Sequence, residues 1–63
     1  MLNEQQRKQA ADLLAARPAV LPGTSVIPES RARTLWYHAV GEAIVTLEPD
    51  DIIEFCDLAG VPD

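Results

Sequence analysis

The sequence contains few of the residues that build disulfide or metal-bound frameworks. Its 63 residues include one cysteine, Cys56, and one histidine, His38. A single cysteine excludes a disulfide within the chain. One Cys with one His also excludes a Cys/His zinc site built from one chain. We therefore expect neither a metal site nor a cofactor.

Long apolar runs are also missing. No stretch approaches the roughly 18 consecutive apolar residues of a membrane span. The segment from Met1 to Gln5 lacks the basic start and apolar core of a signal peptide. Apolar residues make up 48% of the chain and charged residues 24%, which is typical of a globular domain. The sequence predicts one small domain, residues 1–63, in the cytoplasm and without membrane contact.

Basic residues are scarce and confined to one half of a chain whose net charge is −5. Residues 1–33 contain five basic and three acidic side chains, a net charge of +2. Residues 34–63 contain seven acidic side chains and no Lys or Arg, a net charge of −7. Phosphate binding depends on Lys and Arg, so direct binding of nucleic acid by the second half is not expected. The acidic half fits a basic partner, the basic half of a second copy, or a solvated surface that keeps the chain soluble.

Apolar spacing predicts an all-α domain of three helices, at about 4–16, 29–47 and 49–59. In the first, Asn3 is the N-cap and Gln6 completes a capping box. Its apolar side is thin and consists of Leu2, Ala10, Leu13 and Leu14.

The second helix starts with Pro28 at its first position or with Ser30 as its cap. Its apolar stripe is Ala32, Trp36, Ala39, Val40, Ala43, Ile44 and Leu47, with Tyr37 at the edge. Gly41 is a weak point that costs about 1 kcal/mol against alanine. The third helix starts at Pro49 and ends at Gly60, a left-handed cap. Its inner face is Ile52, Phe55, Cys56 and Ala59.

A proline-rich connection, residues 17–28, joins the first two helices. Pro22 and Gly23 occupy the central positions of a type II turn. We expect an ordered, extended crossing, or a short two-stranded hairpin. The apolar side chains predicted to reach the core are Val20, Leu21, Val26 and Ile27.

Leu35, Val45 and Ile53 fall outside the predicted inner faces, and Leu58 is at the margin. The exposure of these apolar groups on so small a chain predicts a second buried surface, most simply in a homodimer. The alternative is a monomer with an ordinary scatter of exposed apolar groups.

Asp50, Glu54 and Asp57 are spaced i, i+4 and i+7 on the third helix, opposite Ile52 and Phe55. We name these three residues the acidic ridge and predict that it binds a partner with a basic surface. A row of carboxylates can also imitate nucleic-acid phosphates, and a solvated helix face is the simplest reading.

Catalysis is not expected. His38 and Glu42 are spaced i, i+4, as a base and its orienting carboxylate could be, but no nucleophile is placed beside them. Cys56 is predicted to face inward as a small apolar group, without a neighbouring cation to activate it.

The sequence thus predicts a non-enzymatic protein-interaction module that regulates or inhibits its partner, acting as a homodimer. One alternative is a phosphate mimic that blocks a nucleic-acid-handling protein, as small inhibitors of mobile elements do. A second is a DNA-binding regulator that uses Arg31 and Arg33, although these arginines lack an interleaved aromatic. A helix-turn-helix is disfavoured because its recognition helix would be acidic.

Overall fold

A computed structural model describes residues 1–62 and confirms the predicted all-α fold. Its helices are α1 (Glu4–Ala16), α2 (Arg31–Ile44) and α3 (Pro49–Ala59). This part of the chain contains no strand. Each of these helices is too short or too polar to cross a bilayer.

Helices α1 and α3 have the predicted bounds because their capping residues act as expected. The Asn3 side chain accepts from the Gln6 backbone N–H at 2.8 Å, and the Gln6 side chain accepts from the Asn3 N–H at 2.9 Å. Pro49 occupies the first turn of α3, where its missing N–H costs nothing. Gly60 ends α3 with φ of 74° and ψ of 30°, in the left-handed region.

Helix α2 is shorter than the predicted 29–47. The Ser30 side chain accepts from the Arg33 N–H at 3.1 Å, so the helix begins after Ser30. At the other end, Pro49 disfavours helical geometry at Glu48, which is extended with ψ of 156°. The chain therefore leaves α2 after Ile44, and a turn in which the Leu47 N–H donates to the Ile44 carbonyl leads to α3.

The connection between α1 and α2 covers residues 17–30. Its turn is confirmed: Gly23 has φ of 75°, and the Thr24 N–H donates to the Leu21 carbonyl at 3.1 Å. The prediction that four of its apolar residues reach the core is wrong for Leu21 and Val26, which are exposed at the turn. Only Ile27 is buried, and Val20 is half-buried.

Helices α1 and α3 run parallel, with α2 antiparallel to both. The amino group of Met1 lies 2.7 Å from Asp51 at one end of the pair, and Arg17 donates to the Gly60 carbonyl at 2.7 Å at the other. The short turn 45–48 brings the end of α2 to the start of α3. Trp36, in the first half of α2, donates its indole N–H to the carbonyl of Leu13 near the end of α1.

The core has two adjoining clusters that both contact Leu13 and Val61. The first consists of Leu2, Ala10, Phe55 and Ala59. The second consists of Ile27, Trp36 and Val40. Three residues of the predicted inner faces are exposed instead: Leu14, Ala32 and Ala39. They lie at the edges of their stripes, where a three-helix domain has no fourth helix to cover them.

Candidate interaction surfaces

The described residues leave more large apolar side chains exposed than buried. Five are buried: Leu2, Ile27, Trp36, Val40 and Phe55. Eight are exposed: Met1, Leu14, Leu21, Val26, Leu35, Val45, Ile53 and Leu58. Phe55 is the only large side chain among residues 1–62 with almost no accessible surface.

The predicted self-interface residues are all exposed, as the sequence required. Leu35 is 58% accessible, Val45 77% and Ile53 64%. Leu35 lies on the outer side of α2, Val45 is the residue that caps the end of α2, and Ile53 lies on the outer side of α3. The structure thus places two of the three on α2 and its C-cap, and the interface itself stays a prediction.

An open groove runs along the outer side of α2. We call it the α2 groove, and its lining residues are Thr34, Tyr37, His38, Gly41, Glu42 and Val45. Gly41 lies mid-helix, and no heavy atom lies within 4 Å of the position that a Cβ on it would occupy. Neither backbone conformation nor crowding within the monomer therefore requires glycine there. The sequence indicated the cost of Gly41 to the helix but not the groove that it opens.

The acidic ridge is partly neutralised within the chain. A side-chain oxygen of Glu54 lies 2.9 Å from Arg7 on α1, whereas Asp50 and Asp57 are exposed. The neighbouring Asp51 accepts from the Met1 amino group, and this contact raises the pKa of that amino group. Sequence spacing on α3 could not reveal the role of Arg7, because the ion pair depends on how α1 and α3 pack.

The residues considered for chemistry are His38, Glu42 and Cys56. His38 and Glu42 are exposed on the rim of the α2 groove. Cys56 is half-buried, and burial together with the charge of Asp57 raises the pKa of its thiol. Such a thiol is a poor nucleophile near neutral pH. Within residues 1–62 no three His, Cys, Asp or Glu side chains are grouped so that they could hold a metal ion.

The arginines proposed for nucleic-acid binding lie at the start of α2. Arg31 is exposed. The Arg33 guanidinium lies 4.0 Å from Glu29 and 5.7 Å from the centroid of the Tyr37 ring. A nearby carboxylate weakens attraction to phosphate, so this surface is only a modest basic patch.

No known protein-family model matches the chain, and neither a curated protein nor a solved structure is significantly similar to it. Its own exposed surfaces are therefore the basis of the functional proposal.

Proposed function

We propose that this chain is a non-enzymatic protein-interaction module that self-associates through exposed apolar side chains and binds a partner protein. The observation that supports the proposal most is the excess of exposed over buried large apolar groups. Burying such groups against a second protein is favourable, because the hydrophobic effect is the main driving force of most protein–protein association. The residues proposed to make these contacts are Leu35 on α2, Val45 at the end of α2 and Ile53 on α3.

The acidic ridge is proposed to face a basic surface of the partner, whose activity this contact would regulate or inhibit. Asp50 and Asp57 are exposed and contribute two negative charges. The free thiol of Cys56 fits the reducing conditions of the cytoplasm, which we propose as the location.

Two sets of substitutions test the proposal. Leu35→Ser, Val45→Thr and Ile53→Thr together remove three of the eight exposed apolar groups without touching the core. We expect this variant to keep its helical circular dichroism and to lose self-association in light scattering. The matched control, Asp50→Asn with Glu54→Gln and Asp57→Asn, should keep self-association. A wild-type chain that has the mass of one copy at every concentration would contradict the homodimer.

The phosphate-mimic alternative predicts a different pattern. Affinity capture from the source cell with wild-type chain and both variants, followed by mass spectrometry, identifies the partner and separates the two ideas. A mimic would lose its partner in the carboxylate variant and, for wild type, steeply with rising salt. The pairing of Glu54 with Arg7 counts against this alternative because it removes one of the three free charges.

The DNA-binding alternative is tested by gel shift. A regulator that uses Arg31 and Arg33 would shift duplex DNA at low salt, and an Arg31→Gln, Arg33→Gln variant would not. We expect no shift with either protein.

A further inference from the structure

The α2 groove is lined by residues at the spacing of a helix-packing hole. Four of its lining residues, His38, Gly41, Glu42 and Val45, are spaced i, i+3, i+4 and i+7. Four residues of one helix form the hole that receives one side chain of a facing helix in coiled-coil packing. The absence of a side chain at Gly41 deepens this hole, and the monomer makes no other use of that absence.

The same helix presents a side chain that fits such a hole. Leu35 is an exposed leucine on the outer side of α2 and does not line the groove. The residues Arg31, Leu35, His38, Glu42 and Val45 follow spacings of four and three and so share one side of the helix, with Leu35 and Val45 as the apolar members. All five are exposed. One face of α2 therefore contains both a knob and a hole, as a self-complementary two-fold interface requires.

The charged residues on the outer side of α2 favour antiparallel over parallel pairing of two copies. This side is basic at Arg31 and acidic at Glu42 and, beyond the helix, at Glu48. Parallel pairing would place each of these residues beside its own copy and so oppose like charges. Antiparallel pairing with Leu35 level with Gly41 and Glu42 of the second copy, at the middle of the hole, places Arg31 level with Val45 of that copy and so nearer to its Glu42 than to its Arg31.

We infer that the α2 groove receives Leu35 of a second copy of this chain, in an antiparallel pairing of the two α2 helices about an axis near residue 38. This inference rests on the proposed function, because it gives the geometry of the proposed self-association. Two helices of 14 residues bury less than a standard interface of about 1,600 Å². The dimer is therefore weak and reversible, and its contacts are concentrated at the two leucine knobs.

Cysteine cross-linking tests the direction and register. In a Cys56→Ser background, the Leu35→Cys and Glu42→Cys proteins are mixed under mild oxidation, one of them with a longer tag. The inference predicts rapid formation of the mixed disulfide and little cross-linking of either protein with itself. Rapid self-cross-linking of Leu35→Cys would show parallel pairing, and preferential cross-linking of Leu35→Cys with His38→Cys would show a shifted register. Either result would overturn the inference.

Filling the groove gives an independent test that does not depend on disulfides. Gly41→Leu should weaken self-association about tenfold or more, because the added side chain occupies the space of the leucine knob. Ala11→Leu is the control, since it adds a leucine to the exposed side of α1. Equal association of the two variants would contradict the inference. If light scattering shows a dimer that persists in Gly41→Leu and none of these cross-links forms, the inferred geometry is wrong but the proposed self-association stands. If the wild-type chain is a monomer, both are contradicted.

Discussion

Helices α1 and α3 are joined along their length, whereas α2 is held on one side and open on the other. Polar contacts link the first pair at both ends and in the middle, where Arg7 meets Glu54. Helix α2 is attached through Trp36 and Val40, and its opposite side presents Leu35, Val45 and the α2 groove to solvent. Helices α1 and α3 are therefore the more extensively connected pair, and α2 keeps one side uncovered.

The largest expected effect is on the inner side of α3. Phe55→Ala removes the only large side chain of residues 1–62 that is completely buried. We expect a loss of about 3–5 kcal/mol, comparable with the whole free energy of unfolding of a small domain. The matched exposed change on the same helix, Ile53→Ala, should stay within about 0.5 kcal/mol. Urea unfolding followed by circular dichroism measures both, and similar losses would contradict the packing described for α3.

The two left-handed glycines provide the next comparison. Both Gly60 and Gly23 have φ near 75°. An alanine held in that conformation destabilises the fold by about 1–2 kcal/mol. A Cβ at Gly60 would also lie 2.5 Å from Leu14 Cδ1 and 2.8 Å from the guanidinium of Arg17, whereas one at Gly23 meets nothing.

We therefore expect Gly60→Ala to destabilise by about 2–4 kcal/mol and Gly23→Ala by about 1–2 kcal/mol. Moving Arg17 aside would also disturb its hydrogen bond to the Gly60 carbonyl. Thermal unfolding of the two variants side by side measures the difference. Equal melting temperatures would mean that α1 does not pack closely on the end of α3.

A smaller effect tests the attachment of α2. Trp36→Phe removes the indole donor that lies 2.7 Å from the Leu13 carbonyl and leaves that acceptor unpaired. We expect a loss of about 1–3 kcal/mol. Tyr37→Phe is the control, because the described residues include no hydrogen-bond partner for its hydroxyl. A Trp36→Phe protein as stable as the Tyr37→Phe protein would show that this contact does not hold α2.

The sequence predicted the features that depend on local chemistry. The bounds of α1 and α3 followed from Asn3, Pro49 and Gly60, whose capping roles require only neighbouring residues. The end of α2 was missed, because the apolar stripe continued to Leu47 while the backbone had already turned towards Pro49.

Contacts between residues that are distant in the sequence could not be predicted from helical spacing. The exposure of Leu35, Val45 and Ile53 was predicted from helical periodicity. The ion pair between Arg7 and Glu54 was not predicted, because it depends on the parallel arrangement of α1 and α3. The α2 groove was also missed, because lining residues on one helix become a groove only when the neighbouring helices leave that side uncovered.

The most direct test of the central claim is a dilution series of amide ¹H–¹⁵N NMR spectra. We predict that chemical shifts change with concentration along the outer side of α2, from Leu35 to Val45, while the α1–α3 contacts stay constant. Shifts that are independent of concentration throughout, or that change mainly between α1 and α3, would contradict the claim that the open side of α2 is the binding surface.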